Sequence, residues 1–262
     1  MRFISIPLFI FICFGISTNA HAKKGTNLIA VGQGVSSPAV TSVVNFTSGL
    51  TFENPVGTIY QDGPRLSVQY DENGHSTLGV ELGVGGNNWG IAAGYRQPDC
   101  DNCEENTAGA VGVGLGSVFA LGLRAEEDVN GIGLIFNHQG DFRVGATFDL
   151  DDSGGENNNV TRMGAGVALV KTNWTFAVDA SKREHENSTA NANDDIIFLT
   201  PGLMIRADIF QLSVNYQLHL NDDNEIYEDE FWFGLGIGNQ TWHLAVYSDY
   251  VNDLAVSGSW FF

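Results

Sequence analysis

The sequence predicts an all-β fold, a transmembrane antiparallel β-barrel of about 14 strands carrying an N-terminal plug. Three observations lead there. The last residues, Asn252 to Phe262, read as an amphipathic strand ending on an aromatic. From Pro64 onward the chain divides into segments of about ten residues with period-two alternation. Between those segments, short turns alternate with longer acidic connections.

At the start, Arg2 precedes an apolar run from Phe3 to Ile16, and Ala20-His21-Ala22 forms a small-x-small cleavage site. Residues 1–22 therefore read as a secretory signal peptide, removed on export. The alternative, a membrane-anchoring helix, needs about 20 apolar residues, and Pro7 interrupts this run. No later segment is apolar for long enough to predict a membrane helix.

Residues 23–63 come next as a plug or hatch. They are rich in small residues (Gly32, Gly34, Ser36, Ser37) with apolar patches at Leu28–Val31 and Val40–Val44. Such a segment is too apolar for a free tail and too short for a domain, and folding inside a lumen accounts for both properties. A periplasmic tail is the alternative.

Residues 64–262 form the barrel. Strands are expected at Pro64–Asp71, Ser76–Gly85, Asn88–Arg96, Thr107–Gly116, Val118–Glu126, Gly131–Gln139 and Asp141–Leu150. They continue at Val160–Lys171, Asn173–Arg183, Asp195–Arg206, Ile209–Leu220, Phe231–Gly238, Thr241–Ser248 and Leu254–Phe262. Short turns fall at Gly86-Asn87, Gly116-Ser117, Gly140, Thr172, Asp208 and Asn239-Gln240. Long connections such as Gln97–Asn106, Asp151–Asn159, Glu184–Asp194 and Asn221–Glu230 alternate with them. In the segment around Val214, Leu212, Val214, Tyr216 and Leu218 face one way, while Gln211, Ser213, Asn215 and Gln217 face the other. A soluble sandwich alternates too, but turns its apolar face inward. Trp89, Trp174, Trp242, Trp260 and Phe262 lie near short-turn ends, where an interfacial aromatic girdle belongs.

The polar face is expected to line a lumen with Arg65, Glu81, Arg124, Arg143, Asp149, Arg162, Asp179, Arg183 and Arg206. These side chains either form a network that holds a plug or line a hydrated path that selects solutes by charge. Gly79, Gly83, Gly90, Gly94, Gly112 and Gly114 leave space on the same face.

The net charge of -19 comes from 31 acidic residues against 12 basic ones. Most of the acids fall in the long connections, as in Glu126-Glu127-Asp128, Asp222-Asp223 and Glu228-Asp229-Glu230. An acidic rim argues against nucleic-acid binding, which requires basic surface. It is a solvated loop surface, a site for cations bridging to lipopolysaccharide, or a cation-attracting pore mouth. Cys100 and Cys103, spaced C-D-N-C, read in an exported protein as a small loop disulfide; reduced thiols and a metal half-site are the alternatives.

Gly32-Gln33-Gly34-Val35 followed by Glu53-Asn54-Pro55-Val56-Gly57 resembles the G-x-G-V…N-P-A-G stretch of the FadL-like superfamily of hydrophobic-compound transporters. The resemblance implies a fourteen-stranded barrel, a hatch over residues 23–63 with Gly32, Gly34, Asn54, Pro55 and Gly57 as its motif, and a hydrophobic small-molecule cargo. Val56 replaces the usual alanine, and the chain is shorter than the fatty-acid transporters. In that family cargo leaves sideways beside a kink in the third strand. Here Gly90 and Gly94 stand in that strand, and Pro201, which cannot donate a ladder hydrogen bond, marks either a wall defect or a bulge in the tenth.

No enzyme is expected. His185 and Ser188 share a loop, and His219 and His243 point to the lumen, but no spacing sets a base beside a nucleophile. No metal site and no cofactor are expected. The functional expectation is a bacterial outer-membrane channel for small, hydrophobic solutes. Its expected partners are outer-membrane lipid and lipopolysaccharide, the solute itself, and the barrel-assembly machinery acting on the strand that ends in Phe262. The alternatives are a general diffusion porin and a structural or surface-recognition barrel acting through its acidic loops.

Overall fold

The computed structural model describes residues 54–60, 63–71, 77–98, 106–126, 129–151, 160–185, 195–220, 230–239, 241–249 and 254–262. Gly32, Gly34, Cys100 and Cys103 lie outside them, as do the signal segment and most of the expected hatch. A 3-10 helix, Pro55–Tyr60, precedes fourteen strands. These are β1 (Gly63–Asp71), β2 (Thr77–Gly86), β3 (Trp89–Pro98), β4 (Asn106–Leu115), β5 (Phe119–Glu126), β6 (Val129–Phe136) and β7 (Phe142–Asp151). The second half comprises β8 (Val160–Val170), β9 (Trp174–His185), β10 (Asp195–Ala207), β11 (Phe210–His219), β12 (Glu230–Gly238), β13 (Trp242–Asp249) and β14 (Leu254–Phe261).

Each strand pairs antiparallel with its sequence neighbours, and β14 closes onto β1. The closing register runs from Arg65 opposite Phe261 to Asp71 opposite Ala255. Phe262 N–H donates to the Pro64 carbonyl at 3.0 Å, extending the seam by one residue. Gly63 has φ +79° beside the Phe262 carbonyl, a left-handed conformation that a side chain resists. Closure removes the free edge that a sheet in lipid cannot leave unpaired.

The faces are inverted relative to a soluble protein. Leu82, Leu123, Leu235 and Phe210 are 56–61% exposed on the outside. Inside the wall, Gln211, Ser213, Ser259, Arg124 and Asp149 are buried. An apolar belt of this kind is stable only where hydrocarbon surrounds it, since each large apolar side chain gains about 1.5–3 kcal/mol on leaving water. This arrangement excludes the sandwich. Trp89, Trp174 and Trp260 are exposed at the short-turn ends, Trp242 is half-buried there, and Phe262 is exposed beside them. Trp232, by contrast, turns inward near the start of β12.

Short turns use residues that tolerate left-handed backbone: Asn88, Gly116, Asn137 and Asp208 all have positive φ. The expected strand Gly131–Gln139 is corrected to Val129–Phe136. Asn137 takes φ 57°, its side-chain amide donates to the Phe142 carbonyl at 2.6 Å, and Gly140 N–H returns to the Asn137 carbonyl at 2.9 Å. That local bonding turns the chain three residues before Gly140. At the β12–β13 turn, the Asn239 side-chain oxygen accepts from Thr241 N–H at 2.8 Å.

Candidate functional site

The site is the lumen, and its most distinctive occupant is the segment Asn54–Tyr60. All seven residues are buried, and the 3-10 helix touches β2 through β6. The Asn-Pro pair explains why the turn forms. The Asn54 side-chain oxygen accepts Val56 N–H at 3.1 Å, and its carbonyl accepts Gly57 N–H at 2.9 Å. Pro55 sits where no backbone donor is needed and supplies the φ that a helix start requires. Thr58 then donates its hydroxyl to the Pro55 carbonyl at 3.0 Å.

Glycines in the wall make the berth. A Cβ on Gly90 would overlap the Thr58 backbone, one on Gly112 the Thr58 hydroxyl, one on Gly122 the Pro55–Val56 peptide, and one on Gly133 the Asn54 amide. These positions lie on β3, β4, β5 and β6, so four adjacent strands give up their side-chain layer where the helix rests. Val56, Ile59 and Tyr60 pack with Ala120 and Ile135 in the gap.

Polar ties hold both ends. The Asn54 amide donates to the Leu134 carbonyl of β6 at 3.3 Å. The Tyr60 hydroxyl donates to the His138 carbonyl at 3.1 Å, and His138 Nε2 lies 2.9 Å from the Gly116 carbonyl in the neighbouring turn. The Arg143 guanidinium sits 4.7 Å from the Tyr60 ring centre, a cation–π contact. Burial pushes the Tyr60 phenol above its ordinary range, while the positive Arg143 pulls it down, so the hydroxyl keeps the proton it donates.

The expected lumen charges all lie on the inward face where their side chains are described, and most of them are paired. Arg65 bonds Glu81. Arg124 reaches Asp149 at 3.0 Å and Glu126 at 3.5 Å, and Arg162 reaches Asp151 at 2.7 Å. Gly131 and Gly166 leave room for the Asp149 and Asp179 carboxylates. Arg143 and Arg206 stand at the short-turn end instead. Arg183 is placed opposite Arg162 and Ile196 by backbone register alone.

Glu126 and Asp151 belong to this buried network and not to the acidic rim to which the sequence reading assigned them. The signal was present: each lies two residues beyond an inward-facing charged residue of its strand, Arg124 or Asp149, and so shares its face. The expected gate positions separate. β3 keeps unbroken register on both sides through Gly90 and Gly94, and Gly90 serves the helix berth. At Pro201 the β10–β11 ladder passes from Leu199 opposite Leu218 to Gly202 opposite Asn215. The offset is the same above and below, so the β10–β11 ladder is interrupted at Thr200 and Pro201 without a bulge. The described part of every other ladder has no interior gap.

No protein-family model matches the sequence, and no curated protein matches it. Solved structures do resemble the fold. The Pseudomonas putida toluene transporter TodX aligns with TM-score 0.57 at 9% identity, covering 88% of this chain and 97% of that one. The CymD monoaromatic hydrocarbon channel aligns with TM-score 0.55 at 10% identity, over 80% of this chain and 91% of that one. The Ralstonia pickettii toluene transporter TbuX aligns with TM-score 0.53 at 9% identity, over 80% and 92%. At such identities the likeness establishes the fold. This chain is a closed fourteen-stranded antiparallel barrel of the outer-membrane type.

Proposed function

We propose that the chain is a plugged bacterial outer-membrane channel for small, hydrophobic solutes and a compact FadL-like member. The observation that carries the reading is the buried Asn54–Tyr60 segment in a glycine berth inside the wall. Space emptied of side chains on four strands and filled by one short helix is a built obstruction. The fold likeness to a toluene transporter and a monoaromatic hydrocarbon channel supports the cargo class. In this reading residues 1–22 are removed, residues 23–63 form the hatch, and residues 64–262 form the wall. The Arg65–Glu81 and Arg124–Asp149 pairs stiffen the wall around the hatch. Solute binds against the helix, the helix shifts, and solute leaves sideways beside the ladder interruption at Pro201. The acidic loops face outward toward lipopolysaccharide, and Phe262 presents the closing strand to the assembly machinery.

Planar-bilayer recording tests the proposal. The full chain should give little steady conductance, and deletion of residues 23–57 should raise it. Large, steady conductance from the intact protein would contradict a plugged lumen. A second reading, a hydrated diffusion pore, draws support from the polar arc of Thr200, Gln211, Ser213, Gln217, Ser257 and Ser259. It predicts passage of small polar solutes at rates independent of the Asn54–Tyr60 segment.

A further inference from the structure

The outer wall carries a groove near the short-turn end, running across β10–β14. It encloses about 720 Å³ and is lined almost wholly by apolar atoms. That volume lies within the range of about 300–1,000 Å³ that small-molecule sites occupy. Register explains its shape, because outward residues stand opposite one another in rows around the ring. The upper bank runs from Ile205 on β10 through Leu235 to Val256 on β14. The lower bank runs from Ala207 on β10 through Ile237 to Leu244 on β13. Between the banks, Gln211, Gly236 and Ala245 stand opposite one another and point inward, so backbone floors the groove. The β10–β11 ladder is unbroken from Gly202 to Ala207, and the ladders of β12 are unbroken on both sides. The groove is therefore closed to the lumen.

Length and depth suit an acyl chain. From β10 to β14 the groove crosses four strand spacings of about 4.8 Å, a length of about 19 Å. A hydrocarbon core of about 30 Å gives each leaflet about 15 Å, so a chain laid obliquely spans the groove within one leaflet. Trp242 and Trp260, opposite each other on the outward face below Leu244, mark the level of the headgroups. The charge at that level has one sign. Asp208 follows Ala207 of the lower bank, is exposed, and forms no ion pair among the described residues. It is the sole charged side chain in the β10–β11 and β12–β13 turns. Lys171, in the turn before β9, is held by Asp141. A carboxylate at the mouth of an apolar groove attracts a cationic head and repels an anionic one.

We propose that this groove seats an acyl chain of a phospholipid with a primary ammonium headgroup, in the leaflet on the short-turn side, with the ammonium against Asp208. The site goes beyond the channel reading and stands apart from it, since no solute path crosses the groove. Bulk lipid is as apolar as the banks, so burial of apolar surface alone selects nothing. Close packing between the two banks holds the chain, and the Asp208 carboxylate selects the head.

Native mass spectrometry of the full chain, released from non-ionic detergent, tests it. The probes are dioleoyl phosphatidylethanolamine and dioleoyl phosphatidylglycerol at equal concentration. The first should be retained over the second by about twofold to fivefold, the range of a surface ion pair. Asp208→Asn should level the two lipids. Val246→Trp, on the upper bank, should fill the groove and lower retention of both, while Leu169→Trp, exposed on β8 away from the groove, should not. Equal retention of the two lipids by the unmodified protein overturns the proposal, and that comparison stands even if the variants fail to fold. A preference that survives Asp208→Asn, or retention untouched by Val246→Trp in a folded barrel, overturns it as well. Dimers that Val246→Trp dissociates would overturn it in favour of a second copy of the chain in the groove.

Discussion

Asn54→Ala probes the lumen helix at its most connected residue. Its side chain accepts Val56 N–H at 3.1 Å and donates to the Leu134 carbonyl at 3.3 Å. Truncation leaves the buried Val56 donor unsatisfied and removes the tie to β6. A net hydrogen bond contributes about 1 kcal/mol, and stranding a buried donor costs about 1–3 kcal/mol. Loss of about 2 kcal/mol or more of docking free energy follows. That lowers the ratio of docked to undocked helix about 30-fold, since every 1.4 kcal/mol is about tenfold. The barrel ladders involve no Asn54 atom, so the wall should melt as before. Single-channel recording of the variant should show frequent openings absent from the parent, with unchanged heat-induced gel mobility. If openings stay as rare as in the parent while the barrel is intact, the helix does not obstruct the lumen and the reasoning fails.

Three further outcomes follow from the wall. Arg124→Gln removes the guanidinium shared by the buried Asp149 and Glu126 carboxylates, which should destabilise the barrel by up to about 3–5 kcal/mol in urea titrations in detergent; replacing all three with apolar residues should recover most of it. Leu123→Arg, on the exterior at mid-strand, should cost about 2–4 kcal/mol in folding into vesicles, a penalty expected only if that face meets lipid. Pro201→Ala restores a ladder donor at the β10–β11 interruption, and should slow solute exit without changing solute binding if that is the way out; equal rates would place the exit elsewhere.

The barrel was legible in the sequence because lipid imposes a rule on every strand. Alternate residues must be apolar, and a slip of one residue would expose the wrong set, so β7, β11 and β14 announce both their extent and their facing. The closing pair was legible for the same reason, since an unpaired edge has no place in lipid. Turn positions were less so. In the β6–β7 connection Gly140 is the conspicuous turn signal, but the left-handed backbone of Asn137 turns the chain three residues earlier. The wall glycines announced missing volume, but what fills it depends on four strands converging on one point, which no single segment encodes. The ion pairs were hidden by stagger. Arg124 meets Asp149 only through the combined registers of β5, β6 and β7, and Glu126 was lost among the acidic neighbours that follow it. His243 gave only a lumen-facing position.

The seam between β1 and β14 constrains the order of assembly. The strands farthest apart along the polypeptide must find one another last, and the lumen helix enters β1 with only Gln61 and Asp62 in between. That short tether limits where the helix can lie, and it reaches β2 through β6 on the side of the ring next to β1. The inner segment is therefore leashed to the closing strand, so its docking and the zipping of the seam bear on the same stretch of chain.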